Sequence, residues 1–539
     1  MAPFSLVPLP AMASPVMGSA LLAHPWTAFP WLSLLLVIPF VGTFALLLWP
    51  GEPGPGRLRG ISIAILAAQL LASLALLLVF DPDRAGMQLE EMHQWVPSIG
   101  LNYQLGVDGL SLPLVLINGS LTLVAAVCTR DFSKRPRIYF SMLLLISGAV
   151  NGAFLAENLL LFFLFYELEL IPLWLLISIW GGSGRAYAAT KFLIFTAVSG
   201  MLILGAFLGL ALFTGSVDFS LTAITSERLA MGSQIVLLAA LLVGFGIKLP
   251  MVPFHTWLPD AHTQASTPVS VLLAGVLLKL GTYGILRFGM GLFPEAWARL
   301  APGLAIWAAV SVVYGSLAAI AQRDMKRMVA YSSVGHMGYV LLAGAAATPV
   351  ALLGAEFQMV SHGLISALLF LLVGTVYRKT GTRDLDVLRG LLNPERGLPF
   401  TGTLMILGVM ASAGMPGMAG FISEFLVFRG SLQAYPLATL MCMVGSGLTA
   451  VYFLLLVNRA FFGRLAITPA TENPLADARL DIQLAPVAPR ETLPAMALAL
   501  GVLALGLLPS LLGHWSEAST TAMAQLPLLA AGIAEGGLG

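Results

Sequence analysis

The chain has 539 residues, 58% of them hydrophobic and only 10% charged, with a formal net charge of +1. A soluble globular domain carries about a quarter of its residues as charges, so these proportions exclude one and predict an all-α polytopic membrane protein. The balanced charge, with no basic or acidic tail, excludes a nucleic-acid partner; two cysteines, Cys128 and Cys442, exclude a disulfide framework and iron–sulfur ligation.

The apolar, Pro-rich start reaches its first basic residue only at Arg57, and so lacks the positive n-region of a signal peptide. Residues 1–29 read as an N-terminal extension without an assigned role. Beyond it, apolar runs of roughly 20 residues bounded by Gly, Pro or charge predict about 14 transmembrane helices. They cover 30–49, 60–80, 111–129, 138–157, 158–180, 189–213, 233–254, 267–288, 301–321, 328–346, 350–377, 401–428, 434–462 and 491–513. Between them, 81–110 and 463–490 are the longest polar connections, and 514–539 is a mildly apolar tail expected along the membrane surface.

Basic residues test this map. Loops after odd-numbered segments hold 20 Lys/Arg, loops after even-numbered ones hold 5 (Arg84, Arg228, Arg287, Arg299 and Arg429), and Lys248 and Lys279 make up the total of 27. A single early miscount would erase this asymmetry. By the positive-inside rule it places both termini on the outer, lumenal or periplasmic side.

Two segments carry an interruption. The seventh breaks at Lys248–Pro253, where Pro250 and Pro253 cannot donate to the carbonyls of Gly246 and Leu249, leaving helix ends able to face water or ions. The twelfth breaks at 412–420, SAGMPGMAG. Five segments separate the two, so they cross in opposite senses, and broken helices at matching positions of opposed halves point to inverted repeats with sites near mid-depth. The division predicted is 30–129 for helices one to three, 130–288 for the first five-helix repeat, 289–462 for the second, and 463–539 for the last helix with its flanks.

Inside these segments lies a row of titratable groups: Glu167, Lys248, Lys279, His336, His362 and Glu424. Counting about 1.5 Å per helical residue puts Glu167, Lys279, His336 and His362 near mid-membrane, with Lys248 and Glu424 beside the breaks. Each has a plainer reading: snorkelling for the lysines, interior hydrogen bonding for the histidines, helix or subunit contact for Glu169. Because residues two apart on a helix point about 200° apart, Glu167 and Glu169 cannot face one site; Glu167, flanked by Tyr166, is the expected member. His255, Asp260 and His262 lie around a short loop, where solvated or capping roles compete with proton transfer.

These residue types suit proton transfer. Burial disfavours the charged form of Lys or Glu, an adjacent opposite charge favours it, and histidines titrate near neutrality. A lysine paired with Glu167 can thus hold its proton and release it when the pair separates. Moving a charge across the membrane costs about 2.3 kcal/mol per 100 mV, and no nucleotide-binding loop or cofactor motif supplies that energy here, so it must come from outside this chain.

Five ordered motifs carry a family resemblance: LLFFLFYELELIPLWLLISIWGG; GIKLPMVPFHTWLPDAHTQA with LLAGVLLKLGTYG; AYSSVGHMGYVLL; FQMVSHGLISALLFLLVG; and GMPGMAGFISEFLVF. They resemble the antiporter-like proton-pumping subunit M, or chain 4, of NADH–quinone oxidoreductase (complex I), over nearly the whole chain after about residue 30. The resemblance implies 14 helices, two inverted five-helix repeats and broken seventh and twelfth helices. It also implies Glu167 and Lys248 as the first-half ion pair, Lys279 as central relay, His336 and His362 as relay histidines and Glu424 as outlet carboxylate. YELELIP and GLNYQLGVDGLSLPL look more like the cyanobacterial and chloroplast chain 4, where electrons pass from ferredoxin to plastoquinone in other subunits, and they also resemble the variant coupled to CO2 hydration. No cofactor is implied in this chain; iron–sulfur clusters and quinone fall to partners. Those partners are the other membrane and hydrophilic subunits, including a second antiporter-like subunit, ferredoxin and plastoquinone through the complex, a CO2-hydrating subunit in that variant, and lipid. The location implied is a cyanobacterial thylakoid or a bacterial inner membrane. The N-terminal extension departs from the family pattern.

Three other readings stay open on the residues alone: a multisubunit monovalent cation/proton antiporter of the same fold, an electron carrier with haem between His336 and His362, and a purely structural membrane subunit. Two mid-membrane lysines argue against the last.

Overall fold

The computed structural model describes residues 29–51, 53–129, 134–467 and 483–536. Nearly all of the N-terminal extension, Arg130 and much of the 463–490 connection therefore lie outside the described residues. Twelve described helices are long and apolar enough to span a membrane. Two more complete the expected fourteen: a helix whose His, Ser and charged residues lower its hydropathy, and the broken twelfth.

In chain order the spans are α1 (Trp31–Leu48), α2 (Pro55–Leu76), α3 (Ser111–Cys128), α4 (Pro136–Leu155), the kinked pair α5 (Leu159–Leu168) and α6 (Leu170–Trp180), and α7 (Arg185–Thr214). The broken seventh follows as α8 (Met231–Lys248) and α9 (Trp257–Gln264). The eighth is α10 (Thr267–Leu272) and α11 (Leu278–Gly284), each continued by a π-helical stretch, Leu273–Leu277 and Ile285–Met290. Then come α12 (Pro294–Ile320), α13 (Met325–Ala346), α14 (Pro349–Thr380), the broken α15 (Pro399–Ser412) and α16 (Ala419–Ser431), α17 (Pro436–Phe461), α18 (Pro489–Leu507) and a closing α19 (Ser510–Gly536).

Local chemistry explains the starts. Prolines open α2, α4, α12, α14, α15, α17 and α18, where a missing N–H costs nothing. Asn158 caps α5 and Asp324 caps α13, each side chain accepting from two backbone amides of the first turn. Within the fifth span, Pro172 cannot donate to the Leu168 carbonyl, and the helix kinks at Glu169.

Burial sorts the bundle. The eighth span is wholly buried, α14 is 94% and α4 is 89% buried, whereas α1, α7, α17 and α18 are each 39% buried and turn apolar side chains outward. The helices that carry Lys279, His336 and His362 are thus surrounded almost entirely by protein.

The bundle's two ends differ. On the end poor in basic residues, β1 (Gln88–Val96) and β2 (Leu101–Val107) form an antiparallel hairpin within the long 81–110 connection. α19 caps that end rather than trailing along a surface: Gly109 N–H donates to Ser519 Oγ at 2.9 Å, Ser519 donates to the Ala85 carbonyl at 3.1 Å, and Trp515 packs on Phe80. On the basic end, β3 (Leu388–Arg389) pairs with β4 (Ala466–Ile467), and Arg378 of α14 meets Glu491 of α18 at 2.7 Å.

A candidate proton-relay site

The seventh-span break holds Lys248 at the C-terminus of α8, where the helix dipole favours a cation. The helix ends do not open to water as expected. The Gly246 carbonyl accepts from Met251 N–H at 2.9 Å, the Ile247 carbonyl from the Trp257 indole at 2.8 Å, and the Val252 carbonyl from the Trp307 indole at 2.6 Å. Protein groups therefore close the break and give it a fixed shape.

Lys248 meets Glu169, not Glu167. This corrects the expected ion pair. Phe162 and Tyr166 of α5 both pack on Phe245 of α8, and Glu169 continues that face three residues after Tyr166. Glu167, adjacent to Tyr166 in sequence, points elsewhere: it lies half-buried over Gly200 of α7, where a Cβ would come within 2.1 Å of its Oε1. The Lys248 ammonium also sits 3.4 Å from the Tyr166 ring centroid, so the pair is closed by a cation–π contact.

The eighth span carries the row onward. Gly281 lets α11 approach the end of α8 closely; a Cβ there would lie 2.7 Å from Leu249 N and 3.1 Å from Lys248 C. Two residues earlier, Lys279 is wholly buried and donates to the Ala274 carbonyl at 2.6 Å, five residues back across the π-helical stretch. Such π segments loosen the i−4 ladder and recur at functional sites. The same ammonium is 2.8 Å from His362 Nδ1 on α14.

From there polar contacts run into the second half. His362 Nε2 is 3.1 Å from Ser333 Oγ, and its ring centre is 5.8 Å from that of His336. His336 Nε2 is 3.1 Å from Ser412 Oγ at the end of α15, and its Nδ1 is 3.7 Å from Glu424 Oε1 on α16, across the second break. Ser446 of α17 donates to Glu424 Oε2 at 2.5 Å. Gly414, at φ +70°, and Gly417, at φ +88°, supply the left-handed turns of that break, and a Cβ on Gly414 would meet Glu424 at 2.9 Å. His336, Gln358, Ser361, His362, Ser412 and Glu424 line one small cavity together with Ile365, Ala411 and Gly420. All four ring nitrogens of the two histidines face protein partners.

His262, on α9, is wholly buried and stacks on Phe370 with 4.5 Å between ring centres and a 3° tilt. Neither ring nitrogen has a hydrogen-bond partner among the described residues. Nearby, a cavity of about 340 Å³ on the basic end is lined by Thr263, Gln264, Ser266, Lys326, Arg378 and Arg383, among others. Asp260 and His255 do not join the row. Asp260 pairs with Lys191 at 2.8 Å and Arg327 at 3.8 Å, and His255 packs against Tyr314 and Tyr331.

Two groups escaped the reading of the sequence. Arg287, counted among loop charges, lies in the π-helical end of the eighth span, 2.5 Å from Asp108 and 3.2 Å from the Tyr283 hydroxyl. Glu356 of α14 is wholly buried. The signal available was an acid alone in an apolar run, seven residues inside a predicted span.

Residues 156–449 match the family described as NADH:quinone oxidoreductase/Mrp antiporter, transmembrane. The chain is 40% identical over 501 residues to NAD(P)H-quinone oxidoreductase chain 4 1 of Synechococcus sp. (strain JA-2-3B'a(2-13)), covering 92% of each chain. It is 39% identical over 502 residues to chain 4 2 of Thermosynechococcus vestitus, again covering 92% of each. Among solved structures, a chain of respiratory complex I from Thermus thermophilus superposes with TM-score 0.81 at 28% identity, covering 92% of this chain and 99% of that one. A chain of the Mrp complex from Dietzia sp. DQ12-45-1b superposes with TM-score 0.79 at 24% identity, covering 94% and 98%, and shares the fold.

Proposed function

Because this chain belongs to the NADH:quinone oxidoreductase/Mrp antiporter transmembrane family, among the chain 4 proteins of NAD(P)H-quinone oxidoreductases, we propose that it translocates protons for a complex I-type assembly whose electron transfer takes place in other subunits. The observation that carries this reading is the string of ionisable side chains through the bundle interior: Glu169 against Lys248, Lys279 against His362, and His336 between Ser412 and Glu424.

Protons enter from the cavity on the basic end, with His262 between it and Lys279. An ammonium that loses its carboxylate in a low-dielectric surrounding releases its proton more readily. A partner subunit that draws Glu169 away from Lys248 therefore shifts the balance at the neighbouring station. Lys279 then passes a proton through the His362 and His336 imidazoles toward Glu424. The closed seventh break matters because it holds Lys248 in register with Glu169. Glu167, half-buried over Gly200, is a reserve acid beside the first pair and not its member.

The finer proposal rests on YELELIP and GLNYQLGVDGLSLPL. Ferredoxin or NAD(P)H supplies electrons and plastoquinone or another quinone accepts them, both through partner subunits that hold the iron–sulfur clusters. A second antiporter-like subunit adjoins this one, the membrane is a thylakoid or bacterial inner membrane, and both termini lie on its lumenal or periplasmic side. The same stretches extend the proposal to a CO2-hydrating subunit, for which co-purification is the test. The two five-helix halves, 130–288 and 289–462, are proposed as the inverted repeats.

The deciding experiment is proton uptake by the purified complex in vesicles during electron transfer, in buffer free of sodium and potassium. Pumping undiminished there supports the proposal. Transport that requires a monovalent cation would assign the chain to the antiporter class instead.

A further inference from the structure

Glu356 and the Asp108–Arg287 pair lie outside the row just described, on the side of Lys279 toward the end of the bundle poor in basic residues. Gly363, seven residues after Glu356 and so on the same face of α14, packs on Ile117 of α3 and on the Gly275 carbonyl of the eighth span; a Cβ there would lie 2.3 Å and 3.2 Å from them. That face of α14 therefore runs along the groove between α3 and the eighth span. Followed toward the hairpin end, the groove is closed where α3 begins, after Asp108, and where the eighth span ends, at Arg287. Glu356 is six residues, about 9 Å along the helix axis, from His362, which holds Lys279. It stands between that contact and the Asp108–Arg287 pair.

Three observations bear on its role. Glu356 is wholly buried, and neither carboxylate oxygen has a hydrogen-bond partner among the described residues. The charges acting on it are those of Asp108 and Arg287. Around the pair cluster further hydrogen-bonding groups: the Tyr283 hydroxyl, Gln104 and Glu157, with Gln104 Nε2 donating to Glu157 Oε2 at 3.2 Å. An ionised carboxylate buried without a partner is in its costliest state, and ionisable side chains so placed inside a membrane mark proton paths.

We propose that Glu356 is the proton-carrying residue of an outlet that leads from Lys279 down the α3–α14 groove to the Asp108–Arg287 pair, separate from the line through His336 and Glu424. The Lys279 ammonium gives a proton through water to the Glu356 carboxylate, leaving a neutral amine and a carboxylic acid. The acid passes that proton to water beside Arg287 and Asp108, which restores the carboxylate. Arg287, tied to Asp108 and Tyr283, fixes the polar groups at which the proton leaves. This outlet rests on the reading of the chain as a proton translocator.

The test uses the assembled complex in vesicles, comparing Glu356→Gln, which cannot carry a proton, Glu356→Asp, which can, and Lys279→Met. The expected result is a partial loss of the proton-to-electron ratio in Glu356→Gln, since the line through His336 and Glu424 stays open, with most of the loss regained in Glu356→Asp. An infrared difference band from a protonated carboxyl, lost in Glu356→Gln and shifted in Glu356→Asp, should accompany it. Normal pumping by Glu356→Gln beside a clearly lowered ratio in Lys279→Met overturns the outlet and leaves the wider reading standing. Normal pumping by both variants overturns the wider reading and the outlet together. If Glu356→Gln does not assemble, the Asp variant decides: a shifted band supports the outlet and an unshifted one overturns it.

Discussion

Lys279 and His362 face each other across the bundle axis, Nζ to Nδ1 at 2.8 Å, one on the wholly buried eighth span and the other on α14. The lysine's other partner is the Ala274 carbonyl. Among the described residues, its single titratable neighbour at hydrogen-bond distance is thus an imidazole whose second nitrogen already leads to Ser333. A proton leaving Lys279 by this contact has one direction to go, into the second half of the chain.

The first pair separates two neighbouring acids by function. Glu169→Gln should cut coupled proton transport several-fold more than Glu167→Gln, because only Glu169 touches Lys248. Proton-pumping assays on both variants in one preparation check it; equal losses would mean that the Lys248 contact is not what matters.

At the second break, His336→Ala and Glu424→Gln should each slow pumping, and the double variant should lose little more than the worse single one. The two side chains lie 3.7 Å apart and act in series. A double-variant cycle measures this, and fully additive losses would place them on separate paths.

Close packing at Gly281 is a prediction about assembly as well as transport. A Gly281→Val side chain has no room against Leu249 N and Lys248 C. Overpacking of this kind costs about 1–3 kcal/mol, so the variant should unfold at lower temperature and pump poorly even where it assembles. Thermal denaturation of the purified complex reports the first effect.

Glu157, between α4 and α5, is pushed up to about 7, chiefly by burial and next by the charge of Glu90. A carboxyl with a raised folded value stabilises the fold below its unfolded value and loses that contribution as pH climbs through the folded one. The contact of the hairpin with this segment, including Glu157 N–H to the Gln104 carbonyl at 2.9 Å, should therefore weaken from about pH 4.5 to about pH 7. Hydrogen exchange of 88–107 at pH 5 and pH 8 would register it, and Glu157→Gln should flatten the dependence.

Much of this architecture could be read from the chain because its punctuation is chemical. Proline and glycine mark both broken helices, and basic residues sort the loops onto one end. The site was harder. Sequence adjacency to Tyr166 pointed to Glu167, whereas the face of α5 is set by the i, i+3 spacing that joins Tyr166 to Glu169 across the Pro172 kink. Glu356 and Arg287 were passed over because each stands alone, and their relation depends on α3, α14 and the eighth span meeting at one end of the bundle, which no local pattern encodes. The breaks were expected to open to water; tryptophans 10 and 55 residues away close the seventh instead.

The most direct measurement is the proton-to-electron ratio of the reconstituted complex carrying Lys279→Met, with assembly verified and quinone reduction followed in parallel. A clearly lowered ratio with the complex intact and quinone reduction retained is the predicted result. A ratio equal to that of the unmodified protein would mean that protons do not pass through the buried row, whatever else this subunit does.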